Sequence, residues 1–514
     1  MTTCNSKLPP PTSTDDDHNG AIGPAEYGMA KGKNIVFVHP DLGIGGAERL
    51  VVDAAVGLQN LGHNVTIYTS HCDPSHCFDE CRDGTLKVIV RGNTVFPPSI
   101  LGRFSILCAI LRQLHLTVSL LLTSDTTTID YFFVDQLSVC IPLLRYFLPD
   151  ARVLFYCHFP DKLLASRKSV VKSIYRVPFD WVEGLTTGLS DGIVVNSRFT
   201  AGVFKDAFPR INVVPRVVYP CVDVHEDEKG QQKLEGDKYP FLQGSDRKIV
   251  LSINRFERKK NVELAVKAFA QFDSRKRKRA RLVIAGGYDN RVAENIEYHS
   301  ELEKLCDEFA LRHATCRNYI SSLTIPSDID VLFLPSVPSA LKSFLLRTAS
   351  VLAYTPENEH FGIVPLEAML VGTPVLATNT GGPLETILDN GVTGWLRPSE
   401  PPQWSEILST VLFDLDDDER AALAKRAKLR VTENFSKESM AAAIQKEYDI
   451  LDDAKRREVG VLDVMMPTVA ATAVAVGVLV GIGKTEWGFL TGALGGVVYA
   501  SFAGLSLAVK KKRK

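Results

Sequence analysis

Between residues 33 and 430, short apolar runs alternate with longer stretches of helical periodicity. The runs at Asn34–His39, Asn64–Tyr68, Val153–Tyr156, Gly192–Val195, Lys248–Ile253, Arg281–Ala285, Val331–Leu334 and Pro374–Ala377 read as strands. Strands that alternate with helices predict a parallel α/β architecture. The alternation breaks at residues 226–247, a polar stretch rich in Lys, Glu, Gly and Gln that reads as a linker. Two Rossmann-like domains are therefore expected, at 31–225 and 248–435, as 514 residues are too many for one core. A helical stretch over 436–460 follows the second domain.

Both ends depart from this pattern. Residues 1–30 are polar and rich in Pro and Asp, which predicts a disordered tail. Residues 467–483 and 487–509 are uncharged apolar runs separated by Lys484-Thr485-Glu486. The second run is long enough to cross ~30 Å of hydrocarbon, while the first is marginal. The basic tail, residues 510–514, favours the cytosolic side, so two crossings make a membrane hairpin that leaves the large N-terminal part cytosolic. Small residues at every fourth position, from Ala473 to Gly481 and from Gly488 to Gly504, suit close helix packing or fill a generic anchor. The closing Lys511-Lys512-x-x pattern resembles a retrieval signal for the endoplasmic reticulum, and a basic membrane stop would look the same. Residues 99–123 are apolar enough for either a helix dipping into the membrane or a helix packed on a sheet.

Charge narrows the partners. Lys plus Arg is 59 and Asp plus Glu is 60, so nothing points to nucleic acid. The 10 cysteines are scattered, several in apolar runs, and read as reduced thiols rather than a disulfide framework.

Candidate chemistry sits where strands give way to turns. The first strand runs into Gly43-Ile44-Gly45-Gly46-Ala47-Glu48-Arg49 and then a helix. Such a turn lets backbone approach a ligand and aims free N–H groups at an anion, although many tight turns need glycine for shape alone. His158 follows a strand at the edge where α/β sheets bind ligands, as a loop histidine or as a group that orients a sugar hydroxyl. Arg255 and Lys260 lie in a cationic cluster after another strand, where they could neutralise a diphosphate or simply be solvated. Glu359 precedes a glycine turn, and Glu367 stands eight positions later among apolar residues, where an unpartnered buried carboxylate would be costly. Gly381-Gly382 offers another close-approach turn. The basic run Arg275–Arg279 precedes a strand and reads as a solvated helix end, which also suits acidic headgroups.

Other patterns are set aside. His71, Cys72, His76, Cys77 and Cys81 have metal-ligand chemistry at no standard zinc spacing. The acidic pairs at Asp328/Asp330 and Asp414/Asp416 read as surface. The acceptor patterns at Asn64 and Asn434 would stay unmodified in a cytosolic chain.

Taken in order, the Gly-Gly-Ala-Glu-Arg loop, the Arg255…Lys260 pair and Glu359-x7-Glu367 resemble the retaining GT-B glycosyltransferases of family four. The stretches VDQLSVCIP, FYCHFPD, VNSRFT and NEHFGIVPLEAM narrow the resemblance to the eukaryotic α-1,3/1,6-mannosyltransferases of asparagine-linked glycosylation, over residues 33–450. The resemblance implies a GDP-mannose donor and a Man1GlcNAc2-diphospho-dolichol acceptor. It implies α1,3 and then α1,6 transfer at the cytosolic face of the endoplasmic reticulum membrane. On that basis Arg255 and Lys260 bind the donor diphosphate, Glu359 the transferred mannose and Glu367 the ribose. Gly45 and Gly46 lie beside the phosphates, Phe361, Gly362 and Ile363 count among the donor-binding residues, and His158 faces donor sugar or acceptor. The family works without metal or other cofactor, and its partners are the membrane and other transferases of the pathway. Family-four enzymes with a different lipid acceptor, and non-catalytic GT-B scaffolds, are the rival readings. A dehydrogenase is disfavoured because the glycine loop lacks the dinucleotide spacing.

Overall fold

A computed structural model describes residues 32–100, 104–123, 126–164, 170–224, 247–317, 325–326, 328–456 and 458–466. The expected disordered tail, nearly all of the linker and the C-terminal apolar runs lie outside the described residues.

The chain forms two seven-stranded sheets. The first contains β1 (Asn34–Leu42), β2 (Asn64–Cys72), β3 (Lys87–Val90), β4 (Tyr131–Asp135), β5 (Arg152–Cys157), β6 (Gly192–Val195) and β7 (Arg216–Val217). Their order is β3-β2-β1-β4-β5-β6-β7, with every pairing parallel. The second contains β8 (Lys248–Ile253), β9 (Ala280–Gly286), β10 (His313–Thr315), β11 (Val331–Pro335), β12 (Val351–Tyr354), β13 (Val375–Thr378) and β14 (Trp395–Arg397). Their order is β10-β11-β9-β8-β12-β13-β14, again all parallel.

Strand order reverses beside β1 in the first sheet and beside β8 in the second. Chain leaving neighbouring strands turns to opposite faces at such a point, which opens a crevice at the strands' carboxyl ends. The carboxyl ends of β1 and β4, and of β8 and β12, are therefore the places to look for a site.

The cores explain why these strands are buried. Helix Gly46–Asn60 sets Leu50, Val51, Ala54, Ala55 and Leu58 against β1 and β2. Helix Lys437–Asp453 follows the second sheet in sequence yet packs into the core of the first, through Met440, Ile444, Tyr448 and Leu451. Gly57 permits this, because a Cβ there would meet the Ala441 side chain at 2.8 Å. The Tyr448 ring stacks on Tyr131 at 4.2 Å, and the Tyr131 hydroxyl donates to Asp452 at 2.6 Å.

Helix Ser105–Thr123 is long and apolar enough to cross a membrane by length and composition, and 50% of its most apolar stretch is buried inside the protein. Leu116, Leu120 and Leu121 are part of the first sheet's core, so the packing seen is that of a domain helix on a sheet. The basic run at Arg275–Arg279 forms a short helix, Ser274–Lys278, capped by Asp273 and without a buried residue.

Candidate active site

In the second sheet, β8 ends at Ile253 and the chain enters Asn254–Asn261. Gly286, with φ +148°, closes β9 against the Asn254 backbone, where a Cβ would collide with the Asn254 carbonyl. The Arg255 guanidinium is exposed and reaches Glu257 at 3.4 Å. Arg258 turns away to Glu297 and Glu301, and Lys259 pairs with Glu257. Lys260 follows in a short turn that ends at Asn261 in the left-handed region, φ 48°. Its carbonyl accepts from the Thr355 hydroxyl at 2.8 Å, which ties the turn to the end of β12. Its ammonium donates to the Glu359 carboxylate.

Glu359 belongs to the loop Thr355–Gly362. Thr378 and Thr380 hold that loop, through the Pro356 carbonyl and the Asn358 N–H. Gly381 and Gly382 cross its backbone. A Cβ on Gly381 would come within 2.7 Å of the Glu359 nitrogen, and one on Gly382 would overlap Phe361 main chain. The close approach made by this pair is thus to protein backbone. Gly362 takes φ +87° and caps helix Ile363–Leu370. The Phe361 ring is withdrawn into the core against Tyr219 and Phe435, so only its main chain is left for a ligand.

Glu367 sits one turn into that helix. Its carboxylate meets Lys342 at 2.5–2.6 Å. Lys342 lies on helix Ser339–Thr348 after β11, and sequence reasoning missed it. Tyr354, also missed, ends β12 and feels both glutamates. Burial pushes its phenol well above the ordinary range, and the charges of Glu359 and Glu367 push the same way. Both carboxylates therefore act on one buried hydroxyl.

In the first sheet, three strands end on one buried cluster. His39 ends the continuous buried run of β1, Asp135 ends β4 and His158 follows β5. His39 Nδ1 lies 2.9 Å from both Asp135 oxygens, and His158 Nε2 lies 3.0 Å from Asp135 Oδ2. Burial favours a neutral His39, yet the Asp135 charge and hydrogen bond outweigh it, so the pKa is raised. Burial likewise favours a protonated Asp135, and the two histidines reverse that, so its pKa is lowered. His39 and Asp135 were not singled out from the sequence. Their signal is positional, since both stand at carboxyl ends of strands beside the order reversal. Gly45 caps helix Gly46–Asn60 with extended backbone, and a Cβ on Gly46 would meet nothing within 4 Å.

The two halves touch beside these groups. The Phe159 ring stacks on His360 at 3.8 Å and 8°. The Ser197 hydroxyl donates to the His360 carbonyl. The Glu385 carboxylate accepts from Arg198 and Phe199 N–H at 2.8 and 3.1 Å and from the Tyr219 hydroxyl at 3.1 Å. Thus the structure pairs Lys260 with Glu359 and Lys342 with Glu367, lets the charges of both glutamates act on Tyr354, puts His158 on Asp135, and stacks the residues next to His158 and Glu359 on each other.

Chemically, this arrangement offers cationic side chains and helix N–H groups to an anion, carboxylates to sugar hydroxyls, and an imidazole to either. Among the described residues, no group of three or more His, Cys, Asp or Glu is placed to hold a metal ion.

Both halves of the chain resemble known proteins. Residues 44–226 match the family described as Glycosyltransferase Family 4, and residues 237–430 match Glycosyl transferases group 1. The alpha-1,3/1,6-mannosyltransferase alg-2 of Neurospora crassa is 49% identical over 464 residues, covering 88% of this chain and 98% of the relative. The alpha-1,3/1,6-mannosyltransferase ALG2 of Saccharomyces cerevisiae is 46% identical over 432 residues, covering 81% and 84%. Among solved structures, a glycosyltransferase from Rickettsia africae superposes with a TM-score of 0.60 at 17% identity, covering 83% of this chain and 100% of that one. The Anabaena protein HepE in complex with UDP gives 0.56 at 18%, covering 81% and 100%. At such identity the likeness to these structures shows the fold alone, the GT-B pairing of two Rossmann-like sheets.

Proposed function

The chain belongs to the alpha-1,3/1,6-mannosyltransferases of glycosyltransferase family 4, and from that membership we propose that it moves mannose from GDP-mannose to Man1GlcNAc2-diphospho-dolichol. The first transfer is α1,3 and the second α1,6, giving Man3GlcNAc2-diphospho-dolichol for protein N-glycosylation. The observation that carries this reading is the ion pair of Lys260 with Glu359 at the order reversal of the second sheet, with Glu367 beside the same buried Tyr354.

In this reading Lys260 and Arg255 take the donor diphosphate. Lys260 exchanges part of its bond to Glu359 for a phosphate oxygen, which frees that carboxylate for the mannose hydroxyls. Glu367, steadied by Lys342, accepts from the ribose hydroxyls. Main-chain N–H groups of Gly362 and Ile363 and of the Gly45-Gly46 turn add positive potential near the leaving group. Positive groups fixed in advance stabilise the charge that develops as GDP departs, at little reorganisation cost. Attack by the acceptor hydroxyl on the face that GDP leaves, with its proton passing to the departing phosphate oxygen, retains the anomeric configuration. Closure of the two halves along Phe159 and His360 excludes water that would hydrolyse the donor.

The units we assign are an acceptor-side domain at 31–225, a linker at 226–247, a donor domain at 248–435, a crossing helix at 436–460 and membrane segments at 467–509. The catalytic halves face the cytosol and the apolar segments hold the enzyme in the endoplasmic reticulum membrane.

The test is transfer by the detergent-purified full chain, with GDP-mannose and a lipid-linked Man1GlcNAc2 acceptor, without added metal, beside Glu359→Ala. Successive products one and two mannoses heavier, lost in the variant, support the proposal. A folded protein that binds GDP and transfers nothing to this acceptor overturns the acceptor assignment, and absence of GDP binding overturns the donor assignment.

A further inference from the structure

His39 and Asp135 lie beneath His158 and have no part in the scheme above. His39 is 0% exposed and Asp135 1%. Their hydrogen bonds fix a proton count. His39 Nε2 is 3.0 Å from the Asp41 carbonyl, which can only accept. His39 Nδ1 is 2.9 Å from the Asp135 carboxylate, which accepts when ionised. An imidazole serves acceptors on both nitrogens only when it carries two protons. If the shared proton sits on Asp135 instead, the pair still holds the same number of protons, and in either case it is net neutral.

This settles what His158 meets. Its Nε2 lies 3.0 Å from Asp135 Oδ2 and must donate there. The carboxylate it meets has its charge already cancelled from below, so nothing obliges His158 to become a cation. We propose that His39 is a buried counter-charge that holds His158 as a neutral Nε2–H imidazole, leaving Nδ1 as an acceptor for a sugar hydroxyl. Without it, an ionised carboxylate at this distance would favour imidazolium on His158. Nδ1 would then turn from acceptor to donor, and a sugar hydroxyl held there would lose the orientation that its own donated hydrogen gives. His39 and Asp135 are positioning residues here, acting through His158. The proposal rests on the reading that His158 faces donor or acceptor.

Other charged and titratable groups stand around this cluster. Glu48, on helix Gly46–Asn60, adds negative charge near His39. Tyr156 places its ring 4.8 Å from His158, and Cys140 lies near Asp135. Across the cleft are His360, Lys259 and Lys260. Of these groups, only His39 and His158 bond to the Asp135 carboxylate, so His39 is the counter-charge it meets besides His158.

The experiment uses the full chain labelled with 15N-histidine in lipid vesicles, with the His158 signals assigned by difference from His158→Gln. Solid-state 15N spectra report the protonation of each ring nitrogen at pH 7. The parent is expected to show His158 with one protonated nitrogen. His39→Asn removes the counter-charge and keeps a donor near Asp135, so His158 should become doubly protonated. Adding Asp135→Asn should return it to the neutral form. A doubly protonated His158 in the parent, or a neutral one in folded His39→Asn, overturns the proposal. If His39→Asn does not fold, His39→Gln removes the same counter-charge and is read in the same way. These spectra need no substrate, so they stand apart from the donor and acceptor assignments. In transfer assays, His39→Asn should lower kcat/KM at pH 7 by about tenfold or more. Asp135→Asn in that background should recover activity at pH 7, which a merely structural role would not produce.

Discussion

The Lys260 ammonium donates to the carboxylate of Glu359, 99 positions further along the chain. The contact joins the turn after β8 to the loop after β12, the two strands that flank the order reversal. Without ligand, each group satisfies the other. With a diphosphate present, the ammonium has a stronger claim on it. Lys260→Ala removes one preorganised donor at the leaving group and should lower kcat/KM by about 10²–10³-fold. The change should fall mostly on kcat, since the charge it opposes grows during bond breaking. Lys260→Arg should recover part of it. Steady-state transfer assays decide this, and a variant with raised KM and unchanged kcat would mean that Lys260 only binds donor.

Glu367 and Lys342 make the second pair, at 2.5–2.6 Å. If Glu367 holds the ribose and Lys342 steadies it, Glu367→Gln should raise KM for the donor about tenfold with a smaller effect on kcat. Lys342→Ala should do the same to a lesser degree. Adding Lys342→Ala to Glu367→Gln should cost little more, because residues that act through one contact are not additive. Full additivity in donor-binding titrations would mean that the pair does not work as a unit.

Strands buried within parallel sheets were legible because their apolar runs contrast with the flanking turns. Gly192–Val195 and Lys248–Ile253 form β6 and β8 with the bounds read from sequence. Arg281–Ala285 extends by one residue at each end in β9. The carboxylates and the cations Arg255 and Lys260 stood out because charged residues at strand ends and among apolar residues are conspicuous. What could not be read were partners brought in by sheet order. Asp135 meets His39 only because β1 and β4 are neighbours, 96 positions apart in sequence. Lys342 meets Glu367 only because one helix packs beside another. Gly381-Gly382 offers a close-approach turn in the sequence, and what it approaches is the Glu359–Phe361 backbone. From sequence a tight turn against protein and one against a ligand look alike.

That difference between glycines gives a prediction. A Cβ on Gly382 would overlap the Phe361 main chain, and backbone cannot move aside cheaply. Gly382→Ala should destabilise the Thr355–Gly362 loop by about 1–3 kcal/mol, the range expected for overpacking. Gly46 has open space where a Cβ would go. Gly46→Ala should leave thermal stability unchanged and yet weaken donor binding, if substrate comes close to that backbone. Melting curves together with GDP binding separate the cases. Unchanged stability and unchanged binding in Gly46→Ala would remove this turn from the donor site.

The stack of His360 on Phe159 should make the contact between the two halves depend on pH. Burial lowers the His360 pKa from 6.5, with Glu359 opposing and Lys260 adding to the shift. An imidazole whose folded-state pKa is depressed adds stability that is present above the unfolded pKa. Below about 6.5 the unfolded ring takes a proton that the stacked ring refuses, so stability falls as pH falls towards the folded pKa. The slope for one group is at most about 1.4 kcal/mol per pH unit. His360→Phe keeps an aromatic face for Phe159 and removes the proton. Measured from pH 8 to pH 5, the parent should lose stability relative to His360→Phe once below about pH 6.5. Comparing the two cancels the titrations they share, including that of His39. Small-angle scattering over the same range should show the parent opening first. Parallel melting profiles would mean that the His360 proton does not govern the contact, and the closure would then rest on the Glu385 bonds to Arg198 and Phe199 instead.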